Sequence, residues 1–221
     1  MRQALVIGSS GGIGQALCTA LAGQGWQVTG LSRSCDGLDV TDEASVARHL
    51  GALDGPFSRV IIATGALEID GHSPEKALKH LGHEAMAAQF ALNTIGPALV
   101  MKHALRLLPK DAPAVMAALS ARVGSIGDNR AGGWHSYRAS KAALNQIIRG
   151  AAIELGRSHP HAVCVALHPG TVATRFTEKY LGRHPAVTPP EAAANLLRVI
   201  DGLTPAQSGQ FFDWAGKPVP W

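Results

Sequence analysis

The chain has 221 residues, of which 46% are hydrophobic, and its formal net charge is +4. This size and apolar content predict one globular domain over residues 1–221, and no apolar run reaches the roughly 18 residues that a membrane-spanning helix needs. The charge is mild and forms no basic run, which argues against binding to nucleic acid.

The apolar start of the chain, residues 4–7, runs directly into a glycine-rich turn. It is therefore predicted to be a first strand rather than a targeting peptide. The cysteines, Cys18, Cys35 and Cys164, are odd in number and widely spaced, which fits neither a disulfide framework nor a cysteine metal site. We expect a cytoplasmic protein.

Short apolar runs then alternate with stretches of helical periodicity. The predicted strands are residues 4–7, 26–31, 59–63, 114–119 and 162–167, with 210–214 as a candidate edge strand. The predicted helices are residues 12–23, 42–50, about 84–108, 136–156 and 190–200. Apolar strands alternating with helices predict an α/β fold, a Rossmann-type doubly wound parallel sheet that binds ligands at the carboxyl ends of its strands.

The turn after the first predicted strand has the pattern Gly8-x-x-x-Gly12-x-Gly14 and opens a helix. Glycine permits positive φ and lets the backbone approach a pyrophosphate, which then rests on the helix amino terminus. The spacing differs from the commoner GxGxxG pattern, and a purely structural turn is the alternative. Its place between a strand and a helix favours cofactor binding.

Ser32 and Arg33 directly follow the second predicted strand. An NAD-selective site usually places a carboxylate here for the ribose hydroxyls, whereas a guanidinium matches a 2′-phosphate. The sequence therefore favours NADP(H) over NAD(H). The alternative is a surface arginine without a ligand.

Tyr137 and Lys141 are four residues apart, so on a helix they share one face. An ammonium beside a phenol favours the phenolate, which predicts that the pKa of Tyr137 falls towards the working range of an acid catalyst. Such a pair alone is usually part of a solvated helix face. Together with the glycine turn it indicates an active site.

These features resemble the short-chain dehydrogenase/reductase family over nearly the whole chain. The resemblance rests on the glycine turn, Asp39-Val40, Asn93, Tyr137-x-x-x-Lys141 and Pro169-Gly170-x-x-x-Thr174. Residues 119–134 are similar to the C-factor/sniffer-like carbonyl reductase branch. The resemblance implies an NADP(H)-dependent oxidoreductase that reduces a small carbonyl or oxidises the alcohol.

The resemblance also implies residue roles. Tyr137 would be the general acid or base, Lys141 would lower its pKa and hold the nicotinamide ribose, and Asn93 would hold a water linked to Lys141. The residues implied at the cofactor are Gly8, Ser10, Gly12, Ile13, Gly14, Arg33, Asp39, Val40, Thr64, Gly65, Tyr137, Lys141, Pro169, Gly170, Val172 and Thr174.

Two places depart from the family's pattern. The usual Asn-Asn-Ala-Gly is replaced by residues 62–65, Ile-Ala-Thr-Gly. Alignment on Gly124 puts Ala121 where the catalytic serine is expected, with Ser120 one position earlier. Ser120 is the predicted catalytic serine and Ser125 the second candidate. If neither reaches the carbonyl, the site lacks one hydrogen-bond donor and turnover is weak.

The histidines predict no metal site. His80 and His83 could share a helical face, but no third ligand accompanies them. His168 is placed near the cofactor. Residues 175–190 are predicted to form a short lid over the substrate, and the aromatic residues of 211–221 to pack on the core or border the substrate pocket.

The expected partner is a small carbonyl or alcohol. The family resemblance also implies a homodimer or homotetramer, often packed through the helix of Tyr137. Its small and apolar residues Ala139, Ala142, Ala143 and Leu144 suit such packing and fit core burial equally well. One alternative is a dinucleotide-binding signalling or regulatory protein of the C-factor type, with weak or no turnover. Another is an epimerase or dehydratase on the same scaffold, disfavoured because no extended carboxyl-terminal substrate domain is present.

Overall fold

The computed structural model describes residues 2–175, 177–181 and 185–221. Within these ranges the sheet has six strands: β1 (Gln3–Ile7), β2 (Gln27–Leu31), β3 (Arg59–Ile62), β4 (Ala114–Leu119), β5 (Ala162–His168) and β6 (Phe211–Asp213). Their order is β2-β1-β3-β4-β5-β6, and every neighbouring pair is parallel. The chain order reverses between β1 and β3, where such sheets open a ligand crevice. The predicted doubly wound α/β sheet is confirmed.

The α-helices of the described ranges are α1 (Gly12–Gly23), α2 (Arg33–Asp36), α3 (Glu43–Gly51), α4 (His83–Phe90), α5 (Gly96–Ala104), α6 (His135–Ser158) and α7 (Pro189–Asp201). Asp42 caps α3 by accepting a hydrogen bond from the Ala44 N–H, as its position before the helix predicts. Helix α2 was not expected. None of the helices in these ranges is long and apolar enough to cross a bilayer.

Two apolar layers cover the sheet. Leu17 and Leu21 of α1 and Leu196 of α7 belong to the layer on one face, and residues of α3, α5 and α6 to the layer on the other. Leu144 belongs to this second layer and is fully buried. Of the two alternatives for Leu144, core burial or a subunit contact, the structure therefore shows core burial.

The predicted helix over residues 84–108 is not continuous. Between α4 and α5 the backbone forms a π-helical turn, Ala91–Ile95, and a 3₁₀ turn, Leu105–Leu107, follows α5. Pro97 has no N–H with which to bond the carbonyl four residues earlier, at Asn93, so the regular α pattern is interrupted there. Asn93 thus lies in a widened turn, the kind of distortion often found at functional sites.

His80 and His83 do not share a helical face. His80 ends a 3₁₀ turn, Leu78–His80, whereas His83 begins α4. Leu81 and Gly82 are extended between them and break the helix. Both histidines are exposed, and the described part of the chain contains no group of three or more potential metal ligands.

Candidate active site

The glycine turn at the carboxyl end of β1 leaves no space for side chains. Gly8 has a φ of +88°, and a Cβ there would lie 2.9 Å from the carbonyl carbon of Ala63. A Cβ on Gly14 would lie 2.1 Å from the Gly8 oxygen. Both positions require glycine, since backbone atoms approach closer than a real Cβ allows. Ser10 is exposed in this turn, and Ile13 packs its side chain on the core.

The predicted Pro-Gly motif meets the glycine turn from the opposite end of the chain. A Cβ on Gly12 would lie 2.7 Å from the Thr174 Cγ2 atom. Val172 is buried in a bridge with Val187, which fixes the segment that starts at Pro169. The two motifs predicted to bind the cofactor, separated by some 160 residues of sequence, are therefore in contact.

A third predicted element, Arg33, begins the short helix α2 and is exposed. Ser32 caps this helix through its Oγ atom, which accepts a hydrogen bond from the Cys35 N–H. The Asp36 carboxylate accepts a 2.8 Å hydrogen bond from the Ser32 N–H, so it closes the turn. Sequence reasoning missed Asp36, although a serine followed four residues later by an aspartate is a signal for such a turn.

Asp39 and Val40 follow α2. The Asp39 carboxylate accepts two hydrogen bonds from Thr41, through its hydroxyl and its N–H, and these lower the pKa of Asp39. Val40 is buried and packs against Gly96, where a Cβ would lie 2.8 Å from the Val40 Cγ2 atom. Val40 thus connects the segment that follows α2 to the start of α5.

Tyr137 and Lys141 are both buried on one face of α6, with exposed fractions of 5% and 3%. The lysine Nζ donates a 3.0 Å hydrogen bond to the Leu119 carbonyl at the end of β4. Burial raises the pKa of Tyr137 and lowers the pKa of Lys141 to about 8. The expected lowering of the Tyr137 pKa is therefore wrong for the chain alone, because desolvation of the phenolate dominates.

Asn93 and Lys141 meet at Gly65. A Cβ on Gly65 would lie 2.8 Å from the Asn93 Oδ1 atom and 3.3 Å from the Lys141 Nζ atom. The Asn93 amide pairs with the backbone of Ala66 in both directions, at 2.9 and 3.0 Å, and also donates to Gln89. Gln89, which sequence reasoning missed, thus holds Asn93 in place.

Both candidate serines lie in the part of the chain that joins β4 to α6, and both are held by hydrogen bonds. The Ser120 hydroxyl donates a 2.6 Å hydrogen bond to the Asn145 Oδ1 atom, two turns along α6 from Tyr137. Ser125 is buried, and its Oγ atom accepts a hydrogen bond from the Asp128 N–H. The side chain of Ala121 offers no donor.

His168 ends β5, directly before Pro169. Its Nδ1 atom is buried without a hydrogen-bond partner in the described part of the chain. Burial, reinforced by the charge of Arg122, lowers the pKa of His168 to about 4. The imidazole is therefore neutral at physiological pH.

Aromatic and charged side chains close the cleft near Tyr137. Trp134 packs edge-on against Tyr137 and Tyr180, with ring centres 6.3 and 5.3 Å away. Glu68 accepts hydrogen bonds from Lys179, at 2.6 Å, and from the Tyr180 hydroxyl, at 2.8 Å. The segment predicted to form the lid is described only in part, since Phe176, Gly182, Arg183 and His184 lie outside the described residues.

The carboxyl-terminal aromatic residues have two places. Trp221 stacks on the buried Phe211, and Trp214 covers the Pro-Gly turn. A Cβ on Gly170, whose φ is +79°, would lie 3.0 Å from the Trp214 Cδ1 atom. The tail therefore packs on the core and also borders the cleft.

The cleft fits a dinucleotide. Gly8 and Gly14 form a cradle that side chains would fill. Thr64, at the carboxyl end of β3, has a buried Oγ1 atom without a partner among the described residues, which a ligand group would satisfy. The glycine turn leads into α1, whose amino terminus favours an anion.

Comparisons with known proteins agree with this geometry. A family model described as short chain dehydrogenase matches residues 2–183. The 1-hydroxy-2-glutathionyl-2-methyl-3-butene dehydrogenase of Rhodococcus sp. is 32% identical over the full length of both chains. The C-signal of Myxococcus xanthus is 40% identical over 66% of this chain and 84% of its own. The NADPH-bound carbonyl reductase from chicken fatty liver has a TM-score of 0.84 and 25% identity, covering all of this chain and 94% of that one.

Proposed function

The chain belongs to the short-chain dehydrogenase/reductase family, and from this we propose that it is an NADP(H)-dependent enzyme that reduces a small carbonyl or oxidises the alcohol. One observation carries the proposal. Tyr137 and Lys141 are buried one turn apart on α6, and Lys141 meets Asn93 at Gly65, which follows β3, the strand beside β1 and its glycine turn. The reaction needs a proton donor, a cation and a nucleotide-binding turn close together, so this arrangement supports the proposal.

In this proposal NADPH, when bound, supplies a hydride to the carbonyl carbon. Tyr137 donates its phenolic proton to the carbonyl oxygen, and takes a proton from the alcohol in the reverse direction. Because burial raises the pKa of Tyr137, the phenol is protonated at neutral pH, as reduction requires. Lys141 supplies positive charge beside the phenol and a donor for the nicotinamide ribose. Asn93 holds the water that links Lys141 to solvent.

Arg33 supports NADP(H) as the cofactor. It is exposed at the carboxyl end of β2, next to the glycine turn, whose Gly8 N–H donates to the Leu31 carbonyl. A guanidinium there matches a 2′-phosphate. The carbonyl reductase from chicken fatty liver was solved with NADPH bound, which agrees with this choice.

We retain Ser120 as the first candidate for the serine that hydrogen-bonds the carbonyl. To hydrogen-bond the carbonyl, its hydroxyl would have to donate there instead of to Asn145. If it keeps its present partner, the site works with one donor fewer, and we expect slow turnover.

A signalling or regulatory protein that binds a dinucleotide without turnover is the second candidate. The similarity to C-signal favours it, and Ala121 gives it a chemical basis. The buried pair Tyr137 and Lys141 argues against it, because burying two ionisable side chains without a reaction to perform is costly.

A cytoplasmic homo-oligomer completes the proposal. Cys35 is exposed and free, which suits a reducing compartment. Ile95, beside α5, and Ile147, on α6, are exposed apolar side chains that a second copy could cover. Ala139, Ala142 and Ala143 are half-buried on α6.

The test measures NADPH consumption with aldehydes, ketones and diketones, and the reverse reaction with alcohols. The alcohols include a glutathionyl alcohol, the class of compound for which the Rhodococcus relative is named. We expect turnover that Tyr137→Phe lowers by about 10²–10⁴-fold, the contribution of a general acid. Tyr180→Phe is the matched control. Tight NADPH binding without turnover on any substrate would instead support the signalling function.

A further inference from the structure

The amino end of α6 is held by Glu75, which lies some sixty residues earlier in the chain. Glu75 is 7% exposed. Its Oε2 atom accepts a 3.2 Å hydrogen bond from the Ser136 N–H, and its Oε1 atom accepts a hydrogen bond from the Ser136 hydroxyl. The Glu75 backbone carbonyl also accepts the Trp134 N–H. One residue therefore takes three hydrogen bonds from the start of this helix.

The start of α6 needs these acceptors because its own N-cap residue supplies none. That residue is Trp134, which has a left-handed φ of +53° and no capping side-chain hydrogen bond. Gly132 and Gly133 before it are also left-handed, with φ of +61° and +62°. First-turn N–H groups have no partner within a helix, and a left-handed conformation is unfavourable for a tryptophan. Glu75 supplies the missing acceptors.

The same contacts fix the residues around the proposed proton donor. Tyr137 directly follows Ser136, and the Trp134 ring lies edge-on to it. Glu75, Ser136 and Tyr137 border one small cavity together with Gln89, the residue that holds Asn93. A shift of the Glu75 carboxylate would therefore move the tyrosine, its aromatic neighbour and the support of Asn93 together.

The charge state of Glu75 suits this role. Burial alone would raise the pKa of its carboxyl group, but the hydrogen bonds from Ser136 and from the Glu75 backbone together leave that pKa below its usual value. The group is thus a carboxylate at neutral pH, and a negative charge at a helix amino terminus is favourable.

We infer that Glu75 is a positioning residue for proton transfer by Tyr137, acting as a cap for α6 that is supplied from a distant segment of the chain. The inference rests on the proposed function for its kinetic consequence only. The effect on the helix start is independent of any reaction.

The experiment compares Glu75→Gln and Glu75→Ala with the wild type. The matched control is Glu84→Gln, an exposed carboxylate in the first turn of α4. Hydrogen exchange is followed in the peptide that spans residues 134–141, and NADPH affinity, kcat and KM are measured with one carbonyl substrate. The glutamine variant keeps size and one acceptor oxygen, so it tests the cap even if the alanine variant folds poorly.

We expect Glu75→Gln to exchange the first-turn amides of α6 at least tenfold faster and to lower kcat at least tenfold. KM and the NADPH Kd should stay within twofold of wild type, a split that a general loss of folding would not give. Glu84→Gln should change none of these values.

The inference is overturned if exchange and kcat of Glu75→Gln stay within twofold of wild type. It is also overturned if kcat, KM and NADPH binding fail together, since Glu75 would then only stabilise the fold. A wild type without turnover contradicts the proposed function instead, and the exchange rates then decide the inference about Glu75.

Discussion

The Nζ atom of Lys141 lies 5.9 Å from the centre of the Tyr137 ring, while its hydrogen bond goes to the Leu119 carbonyl. Burial disfavours charge on both side chains, so it raises the pKa of the phenol and lowers that of the amine to about 8. In the chain alone the pair is therefore poised as a neutral acid beside an amine that titrates just above physiological pH.

The buried amine predicts a stability that rises with pH. Because the pKa of Lys141 is about 8 in the folded chain and 10.5 as its ordinary value, the unfolded chain binds more protons between these values. We expect Lys141 to contribute a rise of about 1.5 kcal/mol in the free energy of unfolding between pH 8 and 9.5, opposed in part by Cys164, whose burial raises its pKa to about 12. Above pH 10 the raised pKa of Tyr137 acts in the opposite direction.

Urea unfolding of the cofactor-free protein across this range measures the effect. Lys141→Met should flatten the slope, whereas Lys110→Met, which removes an exposed lysine, should keep it. The same slope in wild type and Lys141→Met would contradict the assigned pKa of Lys141.

Arg33 predicts cofactor selectivity. Arg33→Ser should weaken NADPH binding by about 10–100-fold, the equivalent of the 1.5–3 kcal/mol of a hydrogen bond to a charged group, and leave NADH binding nearly unchanged. Fluorescence titration with both nucleotides measures this. The exposed Arg157, at the far end of α6, gives the matched variant Arg157→Ser. Equal losses for both nucleotides would show that Arg33 does not contact the 2′-phosphate.

The hydrogen bond between Ser120 and Asn145 allows the stability and the activity of the protein to be tested separately. Ser120→Ala leaves the buried Asn145 oxygen without its donor, so we expect a loss of about 1–3 kcal/mol in unfolding free energy. Asn145→Ala should destabilise the protein similarly. If Ser120 also hydrogen-bonds the carbonyl, only Ser120→Ala lowers kcat/KM by a further tenfold or more. Equal kcat/KM values in the two variants would remove Ser120 from the chemistry, and Ser125→Ala would be tested next.

Much of this arrangement was predictable because local pattern and long-range position agree. Apolar runs that are covered on both faces, such as residues 4–7, form central strands, and the glycine pattern marks a turn where Ala63 and Thr174 leave no room for a Cβ on Gly8 or Gly12. The i, i+4 spacing places Tyr137 and Lys141 on one buried face of α6.

The parts that sequence reasoning missed depend on contacts between distant segments. Nothing near Glu75 in the sequence indicates that it caps a helix sixty residues later, and the periodicity of residues 84–108 hides the π turn at Asn93. The Tyr137 pKa was predicted with the wrong sign because adjacency to Lys141 can be read from spacing, whereas the depth of burial cannot.

Two glycines of the first strand–helix unit, Gly8 and Gly23, predict opposite outcomes when each is changed to alanine. Gly8→Ala puts a Cβ 2.9 Å from the Ala63 carbonyl carbon at a φ of +88°, whereas an added Cβ on Gly23, near the end of α1, meets open space in the described part of the chain. We expect Gly8→Ala to cost at least about 2 kcal/mol of unfolding free energy, from left-handed strain and backbone overlap, and to weaken NADPH binding. Gly23→Ala should raise stability by about 0.5–1 kcal/mol, because alanine loses less entropy in a helix, and should leave NADPH binding unchanged.

Thermal unfolding with and without NADPH measures the effects of both glycine substitutions. A Gly8→Ala variant that is as stable as wild type and binds NADPH normally would mean that the turn does not form the cradle on which the cofactor assignment depends.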